Sequence, residues 1–430
     1  MKKVYLLAVV MTIAAILAGC NKGEQQQDGS LKETKDELIL EARSNFEPIP
    51  LNVKEGYKQL KNNEATEAKY ELGKMLYFEP RLSKSQLISC NTCHNLSFGG
   101  DDYQKTSIGH GWQAGPRNAP TVLNSVYNTA QFWDGRAGDL KEQAKGPIQA
   151  GVEMAATPEY VIEVLKSIPQ YGELFKNAFP GDSDPITFDN VASAIEVFEA
   201  TLLTPNSRFD QFLRGDSNAL TDIEKKGLKV YMDQGCTGCH SGINLTSEGY
   251  HPFQVIGTKN ENLLAGDKGR AGVTLEEATE DEQFAFKAPT LRNIEYTAPY
   301  FHSGIVWDLR EAVAVMSSAQ LGSDLTEEQI DQIVAFLKST TGEMPKVEYP
   351  ILPPSTINTP KPDPAVAQAA PVAVEPAAAE QVVTEPAATE PAATEPAVTE
   401  PAATEPAVTE PAATEPAATE PAATEPAAAQ

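Results

Sequence analysis

Two short units constrain this chain more than anything else in its 430 residues: Cys90-Asn91-Thr92-Cys93-His94 and Cys236-Thr237-Gly238-Cys239-His240. Two thiols three positions apart can add to the two vinyl groups of one porphyrin. The adjoining histidine then lies below the iron as its proximal ligand. A zinc site would need four ligands gathered from both units, which lie far apart in the chain. Disulfides would not account for a histidine after each pair. The two units therefore predict two haem c, one in each of two modules. Sixth ligands must come from a short list. Met75, Met154, Met232, Met316 and Met344 are the methionines beyond the leader, and His110, His251 and His302 are the remaining histidines.

The fifth cysteine, Cys20, closes a different segment. Lys2 and Lys3 precede a short apolar run, and Leu17-Ala18-Gly19 leads into Cys20. This has the shape of an export signal, shorter than a membrane span. The cysteine at its end resembles a bacterial lipobox, which implies lipidation of Cys20. The expected location is the periplasmic face of a Gram-negative membrane, and Asn21 points to the outer membrane. Residues 20–55 read as a polar, lipidated tether. The other end, 351–430, holds eleven glutamates and no aromatic residue. From Thr384 it repeats Thr-Glu-Pro-Ala-Ala nine times, with Val398 and Val408 as variants. Proline every five residues prevents helix and sheet, so a disordered, extended tail is expected. The net charge of -26 argues against a nucleic-acid partner.

Between these ends the patterning is helical. Glu64–Tyr77 places Leu72, Met75 and Leu76 on one side and stops before Pro80. Val191–Leu202 repeats Ala194, Ile195, Phe198 and Leu202 at helical spacing. Thr221 with Glu224, and Thr326 with Gln329, make capping boxes for two more helices. No series of alternating strands is evident, and 99–115 and 242–267 read as glycine-rich loops. The fold class is thus mainly α, with two cytochrome c-like domains, at 56–203 and 204–350.

Residues 56–345 resemble the bacterial dihaem cytochrome c peroxidase family, which includes MauG-type enzymes. The stretches that carry the resemblance are Leu72–Phe78, Gly115–Thr121, Gln131–Arg136 and Thr297–Gly304, with both haem units in family order. The resemblance implies reduction of hydrogen peroxide to water, with electrons from a small cytochrome c or cupredoxin. It makes the first module peroxidatic, with proximal His94 and with His110 as a displaceable sixth ligand on a glycine-rich loop. It makes the second module the electron-accepting one, with His240 and Met316 on iron. Glu153, Gln143 and Phe132 match the catalytic pocket, and Trp133 matches the residue between the haems. Asn118, through its side chain, and the carbonyls of Thr297 and Pro299 match the ligands of one calcium ion. His302 falls near the second haem without an assigned role, and His251 reads as structural or solvent-exposed. A homodimer is also implied. Two other readings compete: a MauG-like protein-modifying oxidase, which carries tyrosine where Met316 stands, and a membrane-tethered dihaem electron carrier. The latter would leave Glu153, Gln143 and the His110 loop without a purpose.

Overall fold

The structure is a computed structural model that describes residues 29–254, 261–272 and 282–364. The leader 1–19, Cys20 and the Thr-Glu-Pro-Ala-Ala repeats lie outside the described residues.

The first module is built on two crossing helices, α2 (Glu67–Tyr77) and α6 (Phe188–Glu199). Thr66 caps α2 by accepting from the Lys69 N–H, and α2 buries Leu72, Gly73, Leu76 and Tyr77. Where the helices cross, a Cβ on Gly73 would lie 1.9 Å from the Ala194 oxygen and 3.1 Å from the Phe198 Cβ. Only glycine lets two close-packed backbones meet there. The second module repeats the device. Its helices are α8 (Asp222–Asp233) and α10 (Glu327–Ser339), and both start with the expected capping boxes. A Cβ on Gly227 would lie 1.8 Å from the Gln332 oxygen and 3.0 Å from the Phe336 Cβ. Four residues after each glycine comes a buried tyrosine. The Tyr77 hydroxyl donates to the His94 carbonyl at 2.6 Å, and the Tyr231 hydroxyl donates to the His240 carbonyl at 3.0 Å. Each first helix therefore anchors the backbone of the histidine in its own attachment unit.

Between the attachment unit and α6, the first module inserts α3 (Leu140–Gln149), α4 (Pro158–Lys166) and α5 (Pro169–Ala178). Proline at the first position of α4 and α5 suits a site where its missing N–H costs nothing. Val161, Val164, Leu165, Ile168, Tyr171 and Phe175 bury this layer against α2 and α6. The second module adds α7 (Arg208–Leu213) and α9 (Leu309–Met316). It also holds an antiparallel pair, β1 (Tyr250–Pro252) with β2 (Ala285–Lys287), the one sheet among the described residues. Arg292 and Asp210, both fully buried, pair at 2.8 Å in this module. Asp210 also accepts from the Ile49 and Ser207 N–H groups, so the buried charge is satisfied on several sides.

Both ends differ from the sequence expectation. The stretch 20–55 is not a tether over its described part. Helix α1 (Glu37–Arg43) is capped by Asp36 and buries Ile39 and Ala42 in the core of the second module. Phe46 follows them there, edge-on to Phe209 at 5.2 Å. The apolar positions 39, 42 and 46 follow helical spacing, but they are diluted among charges. The tail likewise does not begin at residue 351. Residues 351–364 run along the first module, where Gln86 donates to the Pro360 carbonyl at 2.7 Å and Arg81 to Ser355 at 3.0 Å. The Thr356 hydroxyl donates to the Ser167 carbonyl at 2.9 Å. An extended proline-rich backbone keeps its carbonyls free to accept, so it can dock without forming helix or sheet. Thr356→Val removes the bond to Ser167 and the one its hydroxyl accepts from the Asn358 N–H at 3.2 Å, and is expected to cost about 1–2 kcal/mol. Thermal unfolding of the haem-loaded protein checks this; an unchanged melting temperature would mean the strap contributes nothing to stability.

Candidate functional site: two haem cavities sharing a wall

Each attachment unit opens onto a cavity. The first, about 660 Å³, is walled by Cys90, Cys93 and His94 on one side. Helix α3 contributes Leu140, Gln143, Ala144, Pro147 and Ile148 to its lining, spaced so that one helical face looks inward. After α3 the chain folds back on itself. Met154 N–H donates to Pro147 O at 3.1 Å, Ala156 N–H to Ile148 O at 2.8 Å and Glu153 N–H to Ala150 O at 3.0 Å. This turn brings Glu153 to the same cavity as Gln143 and Phe132. Burial raises the Glu153 pKa above the ordinary carboxylate range, against the opposing pull of Arg136. Arg136 in turn lies over the Phe132 ring, its guanidinium carbon 3.5 Å from the centroid, and pairs with Asp134. The three residues expected to form a catalytic pocket are thus together.

His110 is the exception among the axial candidates. It is buried, but it does not line the first cavity. Its N–H donates to the Glu153 carbonyl at 2.7 Å. The neighbouring Gly109 sits so close that a Cβ would lie 2.2 Å from the Val152 oxygen. In this conformation the loop is packed behind the turn that holds Glu153. Gly111 and Trp112 both have positive φ, and the Trp112 side chain is 77% exposed.

The second cavity, about 230 Å³, is lined by Cys236, Cys239, His240 and Met316. Met316 ends α9 and is followed at once by a π-helical stretch, Ser317–Leu321. Such irregular turns are often found where a helix presents a functional group. The His240 Nδ1 lies 3.2 Å from the Leu245 carbonyl. A carbonyl can only accept, so Nδ1 carries the proton. Burial lowers the His240 pKa to about 4, which keeps the ring neutral and leaves Nε2 as a free lone pair. Lys287, also in this wall, is 7% exposed and has no ion pair among the described residues. Burial lowers its pKa to about 8. These features fit a haem well: paired thiols, a neutral imidazole beside them, and a buried cation suited to a propionate. His302 stacks on Phe286 at 4.0 Å in the same cavity, and burial lowers its pKa. His251, expected to be structural or exposed, also lines it, with a buried Nε2 that has no hydrogen-bond partner among the described residues.

Trp133 walls both cavities. Its indole N–H donates to the Asn118 carbonyl at 2.9 Å, and its own carbonyl accepts from the Lys287 N–H at 2.8 Å. Asn118 also reaches both cavities, and its N–H donates to the His302 carbonyl at 2.9 Å. Thr297 shares the second cavity with it, two residues before Pro299. Of the three residues expected to hold calcium, Asn118 and Thr297 line the second cavity and Pro299 lines neither. Arg117 bridges Asp134 and Asp267.

Sequence reasoning missed four residues of these sites: Tyr77, Tyr231, Glu199 and Lys287. The two tyrosines had a legible signal, the Gly-x-x-x-Tyr spacing that precedes both attachment units. Glu199 and Lys287 had none, because a buried charged residue looks like any other charge in a sequence.

Comparison with known proteins agrees with this geometry. A family model described as di-haem cytochrome c peroxidase matches residues 67–218, and one described as cytochrome c matches 224–341. The chain is 53% identical over 328 residues to cytochrome c551 peroxidase of Pseudomonas aeruginosa, covering 76% of this chain and 93% of the relative. It is 36% identical over 304 residues to the methylamine utilization protein MauG of Methylorubrum extorquens, covering 68% and 84%. Among solved structures, a MauG-like protein associated with microbial copper homeostasis superposes with a TM-score of 0.59 at 27% identity, covering 66% of this chain and 91% of that one. With two attachment units, two cavities and a shared tryptophan wall, the chain belongs to the dihaem cytochrome c peroxidase family.

Proposed function

We propose that this protein reduces hydrogen peroxide to water in the first cavity, with electrons that arrive at the second cavity from a small periplasmic redox protein. The observation that carries this reading is that Glu153, Gln143, Phe132 and His94 line one cavity, with Trp133 lining both that cavity and the second. The haem supplies the redox centre at which the oxygen–oxygen bond is cleaved. The overall balance is one peroxide, two electrons and two protons giving two waters. Glu153 serves as the proton shuttle: it accepts the proton of one peroxide oxygen and returns it to the other, which leaves as water. Gln143 orients the peroxide by hydrogen bonding, and Phe132 keeps the pocket dry.

His240 with Met316 holds the second iron, and methionine ligation raises the potential, which suits the site that accepts electrons first. His110, on its glycine-rich loop, would be a displaceable ligand holding the first haem at rest once the loop moves, and its release would open that haem to peroxide. Asn118, Thr297 and Pro299 hold calcium at the junction. Lipid on Cys20 tethers the enzyme to the outer membrane, and the enzyme works as a homodimer. Against the MauG-like alternative stands the identity of residue 316: a methionine lines the second cavity where MauG-type enzymes carry tyrosine.

The test is peroxide consumption by the purified, calcium-loaded protein, fully oxidised and after one-electron reduction, with a small reduced cytochrome as donor. Turnover only after reduction supports both the peroxidase and the His110 gate. Turnover in both states retains the peroxidase and removes the gate. No turnover in either state, with both haems intact and reducible, overturns the reading.

A further inference from the structure

The two modules can be aligned through their helix crossings. Gly73 meets Ala194 and Phe198 as Gly227 meets Gln332 and Phe336. The residue after each phenylalanine is then equivalent: Glu199 in the first module, Leu337 in the second. Both line their cavities, and both are buried. A leucine therefore satisfies the packing at this position, and the carboxyl is not required for the fold. Yet the Glu199 Oε2 is buried with no hydrogen-bond partner among the described residues. A carboxyl left without a partner in a wall that includes Ile88, Val122 and Ala144 carries a desolvation cost.

We propose that Glu199 is the redox-linked proton site of the first haem. As that haem takes one electron from the donor, the Glu199 carboxylate takes one proton from solvent through the first cavity.

Among the described residues no cation pairs with Glu199, although Arg117, which pairs with Asp134 and Asp267, and Lys268 line the same cavity. Facing it are Glu196 one turn back on α6, Tyr77 from α2, and Cys90 of the attachment unit. The lysines of the surrounding helices are engaged elsewhere. Lys69 and Lys74 of α2 bind Asn63 and Glu71, Lys141 and Lys145 of α3 bind Asp189, and Lys166 of α4 binds Asp184. Across the cavity, Arg136 is paired with Asp134 and draws on Glu153. The largest change of charge that Glu199 can sense is thus that of the haem itself. Burial, with Glu196 nearby, already pushes its pKa up to about 8. An added electron disfavours a neighbouring negative charge and raises the pKa further. Between the oxidised-state and reduced-state values, each electron brings one proton. The reduction equilibrium of this haem then falls about tenfold per pH unit, or about 59 mV for one electron.

This rests on haem attachment at Cys90 and Cys93 and not on peroxide chemistry, so it stands or falls separately from the proposed turnover. The experiment is a spectroelectrochemical titration of both haems between about pH 6 and 9, on the wild type, Glu199→Gln and Glu199→Leu. The expected result is a sloping potential for the first haem of the wild type and a flat one in both variants, with the second haem unchanged. Redox-difference infrared spectra of the wild type should show a protonated carboxyl band that gains intensity on reduction. A flat wild-type potential, no such band, or a slope that persists in either variant overturns the proposal. The wild-type arms decide even if a variant fails to fold.

Discussion

Glu153→Gln is expected to lower peroxide turnover by about 100- to 10,000-fold, the usual range for loss of a positioned proton-transfer group. The amide keeps the shape of the side chain and can still hydrogen-bond peroxide, but it cannot carry a proton between the two oxygens. The substitution should leave both haems attached and their optical spectra unchanged, because Glu153 ends a turn held by backbone hydrogen bonds on either side of it. The pH profile adds a second readout. The shuttle must start as the carboxylate to accept a proton. Burial raises its pKa above that of an ordinary carboxylate, so wild-type turnover should fall as pH drops through that raised value. The residual activity of the variant should lack this acidic limb. Steady-state rates at saturating donor, over a pH series, check both expectations. Turnover within threefold of wild type would remove Glu153 from the chemistry.

The second large effect is structural. Gly227→Ala places a methyl group where the Gln332 carbonyl already stands, 1.8 Å from the new Cβ. The obstacle is the backbone of α10 and not a flexible side-chain end, so the two helices must separate. Overpacking a close-packed site costs about 1–3 kcal/mol, and a backbone collision belongs at or above the top of that range. The consequence should reach the haem, because Tyr231, one turn along α8, holds the carbonyl of His240. We expect a lowered melting temperature and partial loss of the second haem's native spectrum. Gly73→Ala should do the same to the first module, through Ala194 and Tyr77. Thermal unfolding followed at the Soret band of each haem separates the two cases. A Gly227→Ala protein as stable as wild type would mean that the crossing can relax, and would refute the close-packing argument.

The parts of this molecule that were legible in the sequence share one property: they are local. The attachment units, the capping boxes at Thr221 and Thr326 and the apolar stripe of α10 each depend on residues within a turn or two of one another. The capping boxes start α8 and α10 where the spacing placed them. Helix α2 begins at Glu67 instead of Glu64, because Thr66 supplies the cap. What escaped was either diluted or distant. Ile39, Ala42 and Phe46 follow helical spacing inside a run of charges, and only the second module's core shows which face they bury. Residues 351–364 carry no periodic signal at all, because a docked proline-rich strand is held by carbonyls, which every sequence has.

The sequence by itself pointed to two haem c carried by two helical modules, because each unit sets two thiols for the porphyrin vinyl groups and a histidine for the iron within five residues. Only the tertiary structure decided which side chains face each haem. Gln143, Glu153 and Phe132 come to one cavity because α3 and the turn after it fold back on themselves. Trp133 became a shared wall because the two modules close on it from both sides. The same step buried Glu199 where the other module has Leu337, and set His110 behind Glu153 instead of inside the cavity. Burial and a missing partner are properties of three-dimensional neighbours, and they turn an ordinary glutamate into a group whose charge can respond to a single electron.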